Sequence, residues 1–303
     1  MDVFAGCRAL TRPLRAPAIA IGNFDGVHRG HQALLDAIKR PGNEAVVLTF
    51  DPHPISVLMP HLAAPLITTT ARKCELLAER GVDVTIIEPF VESLANLTAE
   101  QFVDQILCDA LGAQHVVVGY DFHYGAGRTG TTETLRAHGK RRGFTVDVVE
   151  RVTIDGEPAS STRVRGHLRA GELDAAAKLM GHGYDIDGVV VHGAKRGRAI
   201  GIPTANVAPD GDLILAPGIY ACRLDGRAAV ASLGTNPTFV ERGKLVLEVH
   251  VLDWDGDLYD QRVRVAFVAK LRDEAKFDSV DALVDQIRAD ITDARKHLTR
   301  DQR

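Results

Sequence analysis

The chain has 303 residues, 45% hydrophobic and 25% charged, with a formal net charge of -4. That length fits two ordinary soluble domains, and the charge gives no electrostatic case for binding nucleic acid or a membrane surface. Four cysteines, Cys7, Cys74, Cys108 and Cys222, lack C-x-x-C spacing, which argues against a zinc site or a disulfide framework.

Cys74 and Cys108 fall in helical segments and read as small core hydrophobes. The N-terminus has no apolar signal core and no run reaches membrane-spanning length, so a cytoplasmic protein is expected.

The first apolar run, Ala18-Ile19-Ala20-Ile21, reads as a buried strand. Gly22-Asn23-Phe24-Asp25-Gly26-Val27-His28-Arg29-Gly30-His31 follows it. A helix is expected next, because Leu34, Leu35 and Ile38 fall at helical spacing. Strand, glycine-rich turn and helix together suit a phosphate: glycines let the backbone approach closely and helix N–H groups face an anion. Gly22, Asn23, Phe24 and Gly30 shape that turn, while His28 and His31 would share one helix face and donate to a phosphoryl group. Two solvated histidines in a tight turn is the plain alternative.

Strand-like and helical segments then alternate to about residue 180. Strands are expected at Ala45–Phe50, Val82–Ile87, His115–Val118 and Phe144–Val149. Helices are expected around Arg72–Glu79, Ala99–Leu111 and Thr132–Arg141, and a last one from Val164 to Met180. This alternation predicts a Rossmann-like α/β domain with a parallel sheet, whose ligands bind at the carboxyl ends of the strands. Two further polar turns follow strands there, Asp51-Pro52-His53-Pro54 and Gly119-Tyr120-Asp121-Phe122-His123-Tyr124-Gly125. Lys140-Arg141-Arg142 sits at a helix end, where cations favour the dipole.

Ser160-Ser161-Thr162-Arg163-Val164-Arg165 opens the last helix. Ser161 and Thr162 are good cap residues, yet two hydroxyls with Arg163 also make a second anion cradle. Paired with the first cradle, it would hold a triphosphate between α-phosphate and pyrophosphate, the arrangement nucleotidyl transfer needs.

Beyond Gly181-His182-Gly183 the rhythm changes to short alternating runs: Ile186–His192, Ile219–Leu224, Ala228–Leu233, Leu245–Leu252 and Arg262–Val268. These predict a C-terminal antiparallel barrel, closed by a helix whose stripe is Val280, Leu283, Val284, Ile287 and Ile291. The boundary is expected between residues 182 and 183. Within this part, Arg196, Gly197 and Arg198 precede Gly201-Ile202-Pro203-Thr204-Ala205-Asn206 in a loop that reads as phosphate-binding rather than as a passive hairpin. Thr204 and Asn206 are hard oxygen donors suited to Mg²⁺ on substrate phosphates. Strand alternation puts Glu248 and His250 on one face and Leu247, Val249 and Val251 on the other. Glu248 is either a solvated carboxylate or, beside a phosphate loop, a general base for a hydroxyl.

In their order and spacing these segments, with Thr49-Phe50-Asp51-Pro52-His53-Pro54, Gly234-Thr235-Asn236-Pro237-Thr238-Phe239 and Leu271-Arg272-Asp273-Glu274, resemble those of bacterial bifunctional riboflavin kinase/FMN adenylyltransferases (FAD synthetases). The resemblance spans nearly the whole chain. It implies that residues 1–182 adenylylate FMN with Mg²⁺ and ATP, and that residues 183–303, a six-stranded barrel, phosphorylate riboflavin. It implies catalytic roles for His28, His31 and Glu248, with Ser161, Thr162 and Arg163 on the pyrophosphate side. Asp51, Pro52, His53, Asp121 and Phe122 would line the flavin and adenine ends of the first cleft. Arg272 would lie near the flavin of the kinase, and Thr204 and Asn206 would hold Mg²⁺–ATP. Small molecules are the implied partners, with room for a homo-oligomer. Ile202, Asp260 and Arg72 depart from the family's usual Phe, Gly and acidic residue. A different H-x-G-H nucleotidyltransferase is disfavoured by Pro203–Asn206 and Glu248. A flavin sensor without catalysis is disfavoured because both histidines, Asn206 and Glu248 are present.

Overall fold

A computed structural model describes residues 1–193, 197, 201–235 and 245–300. It has two compact units, Met1–Ala64 with Thr70–Ser160, and Pro65–Thr69 with Ser161–Arg303.

The first unit is built on a six-stranded sheet of order β1-β4-β3-β2-β5-β6. The strands are β1 Asp2–Phe4, β2 Ala18–Ile21, β3 Ala45–Asp51, β4 Val84–Pro89, β5 His115–Gly119 and β6 Thr145–Val149. Every pairing within it is parallel, and a separate antiparallel ribbon, β7 Thr153–Ile154 with β8 Glu157–Pro158, follows in the chain. Parallel strands covered on both faces read as continuous apolar runs, which is why β2, β3 and β5 were legible. The alternation within β2 separates two cores. Ile19 and Ile21 pack with Val46, Leu48, Phe102 and Leu107, while Ala18 and Ala20 make room for Phe24, Leu35 and Leu77. The three-residue edge strand β1 escaped the sequence reading because it is too short to show a period.

The helix expected over residues 99–111 begins as Ala99–Gln101, capped by Thr98, and continues as a π-helix, Phe102–Ala110. The Leu111 N–H accordingly donates to the Ile106 carbonyl. The wider turn puts Phe102 and Leu107, five residues apart, into the same core. Helix Thr132–Arg142 ends on its three cations and stops at Gly143, φ 88°.

In the second unit the single helix expected from Val164 to Met180 is two, Ser161–Ala170 and Leu173–Met180. Gly171, at φ 77°, turns the chain between them. The barrel is closed and antiparallel, in the order β10-β13-β12-β11-β14-β9. Its strands are β9 Tyr184–Val191, β10 Ala205–Pro209, β11 Gly218–Leu224, β12 Arg227–Thr235, β13 Leu245–Val251 and β14 Arg262–Arg272. Strand β10 starts on Ala205 and Asn206, the end of the stretch read as a loop, and runs on to Pro209, where no strand was expected. Only Val207 is buried along it and proline ends it, so its pattern is faint.

In the terminal helix, Val280–Arg300, the expected stripe holds in part: Ile291 packs against the barrel cluster and Leu283, Val284 and Ile287 are half-buried, but Val280 is 61% exposed. Beyond the stripe, Ala294 and Leu298 pack against Ala221, Val230 and Leu252. The contact therefore sits on the C-terminal half of the helix. The four cysteines are free: Cys7 and Cys222 are buried, Cys108 packs half-buried against the first core, and Cys74 is half-buried.

Asp260, where glycine is usual, adopts φ 61°, and its N–H donates to the Val190 carbonyl at 2.9 Å. The left-handed conformation costs an L-residue about 1–2 kcal/mol, least for Asp and Asn. Glycine relieves that strain but loosens the unfolded chain by about 0.5–1 kcal/mol. Asp260→Gly is therefore expected to change stability by less than about 1 kcal/mol. Asp260→Val should lose about 1–2 kcal/mol, measured by denaturant unfolding.

Candidate active sites

The strand order of the first unit reverses at β2, which pairs with β3 on one side and β5 on the other. Ligands of such sheets bind at the carboxyl ends of the strands at this point. Three sequence-predicted turns leave those ends: Gly22–His28 after β2, Asp51–His53 after β3 and Gly119–Gly125 after β5.

The first turn is tightly built. Phe24, Gly26 and Val27 all have positive φ (52°, 78° and 37°), and Phe24 is fully buried. His28 caps helix Arg29–Ile38, its Nδ1 accepting from the His31 N–H at 3.3 Å. A neutral His28 consequently carries its proton on Nε2. The two imidazoles stack with centroids 3.6 Å apart at 20°, so they do share one face. A Cβ on Gly30 would come 2.9 Å from the Ala159 carbonyl and 3.1 Å from the His28 ring, so glycine is what admits this stacking. Burial, then the charges of His28 and Lys73, push the His31 pKa well down. Its Nδ1 is buried and has no hydrogen-bond partner among the described residues. A neutral, half-satisfied imidazole with a buried ring nitrogen at a helix start is a prepared contact for an incoming group.

Around these histidines the other turns carry acceptors and rings. The Asp51 carboxylate accepts from Thr70 Oγ1 at 2.8 Å, and His53 caps helix Pro54–Leu58 through the Ile55 N–H. Asp51 and Pro52 are exposed. Asp121 is exposed and Phe122 stacks on Tyr124, centroids 5.6 Å apart. Sequence reasoning passed over Lys73, buried in helix Thr70–Glu79 behind the first turn. Ser161, Thr162 and Arg163 open a helix of the second unit, with Thr162 and Arg163 exposed.

The second unit gathers its own site across the barrel. Asn206 on β10 stands opposite Glu248 on β13, which stands opposite Ser232 on β12. Cross-strand partners share a face, so Asn206 and Glu248 flank each other on the face opposite the buried Leu247, Val249 and Val251. Glu248 is half-buried and not fully solvated. His250, on that same face, contacts the Pro203 carbonyl through Nδ1 at 2.7 Å and so braces Pro203-Thr204-Ala205-Asn206. Glycine is required at two points of the preceding loop. A Cβ at Gly193 would lie 2.2 Å from the Asn206 amide nitrogen, and one at Gly197 2.2 Å from the Ile202 carbonyl. Arg196 and Arg198 lie outside the described residues.

Arg272 is held in a fork, Nε and Nη2 donating to the buried Asp290 at 2.9 and 2.8 Å. Its guanidinium also sits 5.7 Å from the Phe277 ring centroid. A cavity of about 540 Å³ opens beside Thr204, lined by Val190, Val249, Trp254, Leu258 and Tyr259. The sequence reading missed it, because its walls come from separated strands and a loop.

The FAD synthetase family profile matches residues 11–163 and the riboflavin kinase profile residues 180–298. The bifunctional riboflavin kinase/FMN adenylyltransferase of Pseudomonas fluorescens is 41% identical over 97% of each chain. That of Escherichia coli K12 is 37% identical, over 98% of this chain and 97% of its own. A solved structure from Streptococcus pneumoniae, named a macrolide-efflux protein, superposes with a TM-score of 0.85 at 32% identity, over 97% of this chain and 98% of that one. Among the described residues no helix is long and apolar enough to cross a membrane. The chain belongs to the family of bifunctional riboflavin kinase/FMN adenylyltransferases.

Proposed function

We propose that the protein makes FMN from riboflavin and then FAD from FMN, consuming ATP at two sites. Residues 1–182 serve the second step and residues 183–303 the first. The observation that carries this reading is the stacked His28–His31 pair, with His28 buried and His31 half-buried, at the switch point of a parallel sheet, in the same chain as the Asn206–Glu248 pair on a barrel.

In adenylylation an FMN phosphate oxygen attacks the α-phosphorus of ATP and pyrophosphate leaves. The turn Gly22, Asn23, Phe24 and Gly30 brings backbone close to the phosphates. His28 and His31 donate hydrogen bonds as charge grows on the α-phosphoryl oxygens, and Ser161, Thr162 and Arg163 receive the pyrophosphate. Asp51, Pro52, His53, Asp121 and Phe122 line the flavin.

In the kinase Glu248 accepts the proton of the ribityl 5′-hydroxyl as that oxygen attacks the γ-phosphorus of ATP, and the bond to the β-phosphate breaks to release ADP. The cavity beside Thr204, walled by valines, Leu258, Trp254 and Tyr259, takes the base of ATP, while Arg196, Gly197 and Arg198 cover its phosphates. Arg272, fixed by Asp290, faces the flavin. Magnesium enters as Mg²⁺–ATP. The described residues hold no cluster of three His, Cys, Asp or Glu for a resident metal. The Thr204 hydroxyl and Asn206 amide instead suit an ion that keeps its other ligands from phosphate and water.

Supplied FMN and Mg²⁺–ATP should yield FAD and pyrophosphate in equal amounts. Pyrophosphate or ADP without FAD would defeat the adenylylation half. The two steps should also separate. Ala176, Leu179 and Met180 are buried in the second unit, so a Ser161–Arg303 fragment should phosphorylate riboflavin without making FAD. A fragment starting at residue 183 strips those contacts and should melt lower. Equal melting temperatures would mean the two helices do not support the barrel.

A further inference from the structure

Lys73 is buried, 7% exposed, and no part of the proposed chemistry uses it. Its Nζ donates to the Asn23 carbonyl at 3.2 Å and to Thr49 Oγ1 at 3.3 Å. Thr49 Oγ1 itself donates to the same Asn23 carbonyl at 3.1 Å. These three groups form a closed triangle joining helix Thr70–Glu79, the last residues of β3 and the turn after β2. Burying an ammonium is costly unless it is paired and hydrogen-bonded, so a lysine here needs a reason that packing does not supply. We propose that Lys73 is a positioning residue of the adenylylation site: its ammonium clamps the glycine-rich turn to the end of β3 and directs its charge at His31.

The surrounding charges fit this role. Burial lowers the Lys73 pKa, and the carboxylates of Asp25 and Asp51 oppose that shift. Asp25, 3% exposed, lies in the turn itself, and Asp51 ends β3. The groups acting on His31 are its stacked neighbour His28 and Lys73, and both disfavour its protonation beyond the effect of burial. A charged His31 would face His28 at 3.6 Å and feel the Lys73 charge as well. The stacked arrangement therefore belongs to neutral His31, and Lys73 extends the pH range over which it persists. The proposal rests on the reading that the His28–His31 turn adenylylates FMN.

The test uses full-length protein and two readouts: the pH profile of FAD formation from FMN, and the NMR titration of the His31 ring without substrates. Lys73→Met removes charge and clamp but keeps the aliphatic stem. It should lower kcat about 10²-fold, the scale of a displaced catalytic group. It should also move the His31 midpoint and the acid limb to higher pH, while riboflavin phosphorylation is unchanged. Lys73→Arg, which keeps the charge, should return the midpoint and restore much of the rate. A Lys73→Met protein within twofold of wild type and with an unmoved midpoint would overturn the proposal. So would a Lys73→Arg protein as slow as Lys73→Met with the midpoint displaced equally, since then only packing matters. Should Lys73→Met fail to fold, Thr49→Val removes one arm of the triangle and leaves the charge. About three- to tenfold loss in kcat with an unmoved midpoint is expected, and an unchanged kcat contradicts the clamp. A wild-type protein that makes no FAD would sink the underlying reading instead, and the titration would still report on Lys73.

Discussion

Replacing His28 or His31 by alanine should reduce FAD formation from FMN by about 10²–10³, the loss typical of one electrostatic donor in a water-poor site. The double substitution should fall short of the product of the two. The rings are stacked and the His31 backbone N–H caps onto His28, so each single change already disturbs the other. Riboflavin phosphorylation should stay at the wild-type rate. The pH profile follows from the direction of the His31 shift. Burial lowers its pKa, so neutral His31 persists below the ordinary value of about 6.5 and the acid limb of adenylylation should lie below that. An acid limb at or above 6.5, or FAD formation unaffected in the double variant, would return both histidines to a purely structural role.

Glu248→Gln should produce the mirror result. The amide keeps shape and hydrogen bonding but cannot accept the 5′-hydroxyl proton, so FMN production should drop by about 10²–10⁴. FAD formation from supplied FMN should persist. ATP binding should survive as well, because it is assigned to the Thr204 and Asn206 side of the register pair. Asp285 serves as the control: 77% of its side chain is exposed on the terminal helix beside Arg288. Asp285→Asn should leave both rates unchanged. A Glu248→Gln enzyme that keeps most of its kinase rate would show that the carboxylate is not the base.

What the sequence made visible was local. Strand, glycine turn, capping histidine and helix occupy consecutive residues at Ala18–Ile38, so the first site could be read along the chain. Lys73 could not, because it is separated by 50 residues from the carbonyl it binds and a buried lysine contradicts the usual composition of a core. Asn206 and Glu248 were each legible as donor and base. Their meeting is a matter of barrel register between strands 42 residues apart, which no local pattern encodes. The split of the 164–180 helix turned on Gly171 alone, a residue that helices sometimes tolerate. The stripe read on the terminal helix took in Val280, which is exposed, and stopped at Ile291, which packs on the barrel. It missed Ala294 and Leu298, small or single apolar positions among charges.

The most direct measurement is a time course with riboflavin and Mg²⁺–ATP as the only additions to the full-length protein, with the flavins separated by chromatography. The account predicts that FMN rises first, that FAD follows at its expense, and that ADP and pyrophosphate both accumulate. Riboflavin that remains unconverted while the protein is folded and binds it, or FMN that never becomes FAD, would contradict the assignment of two reactions to this chain.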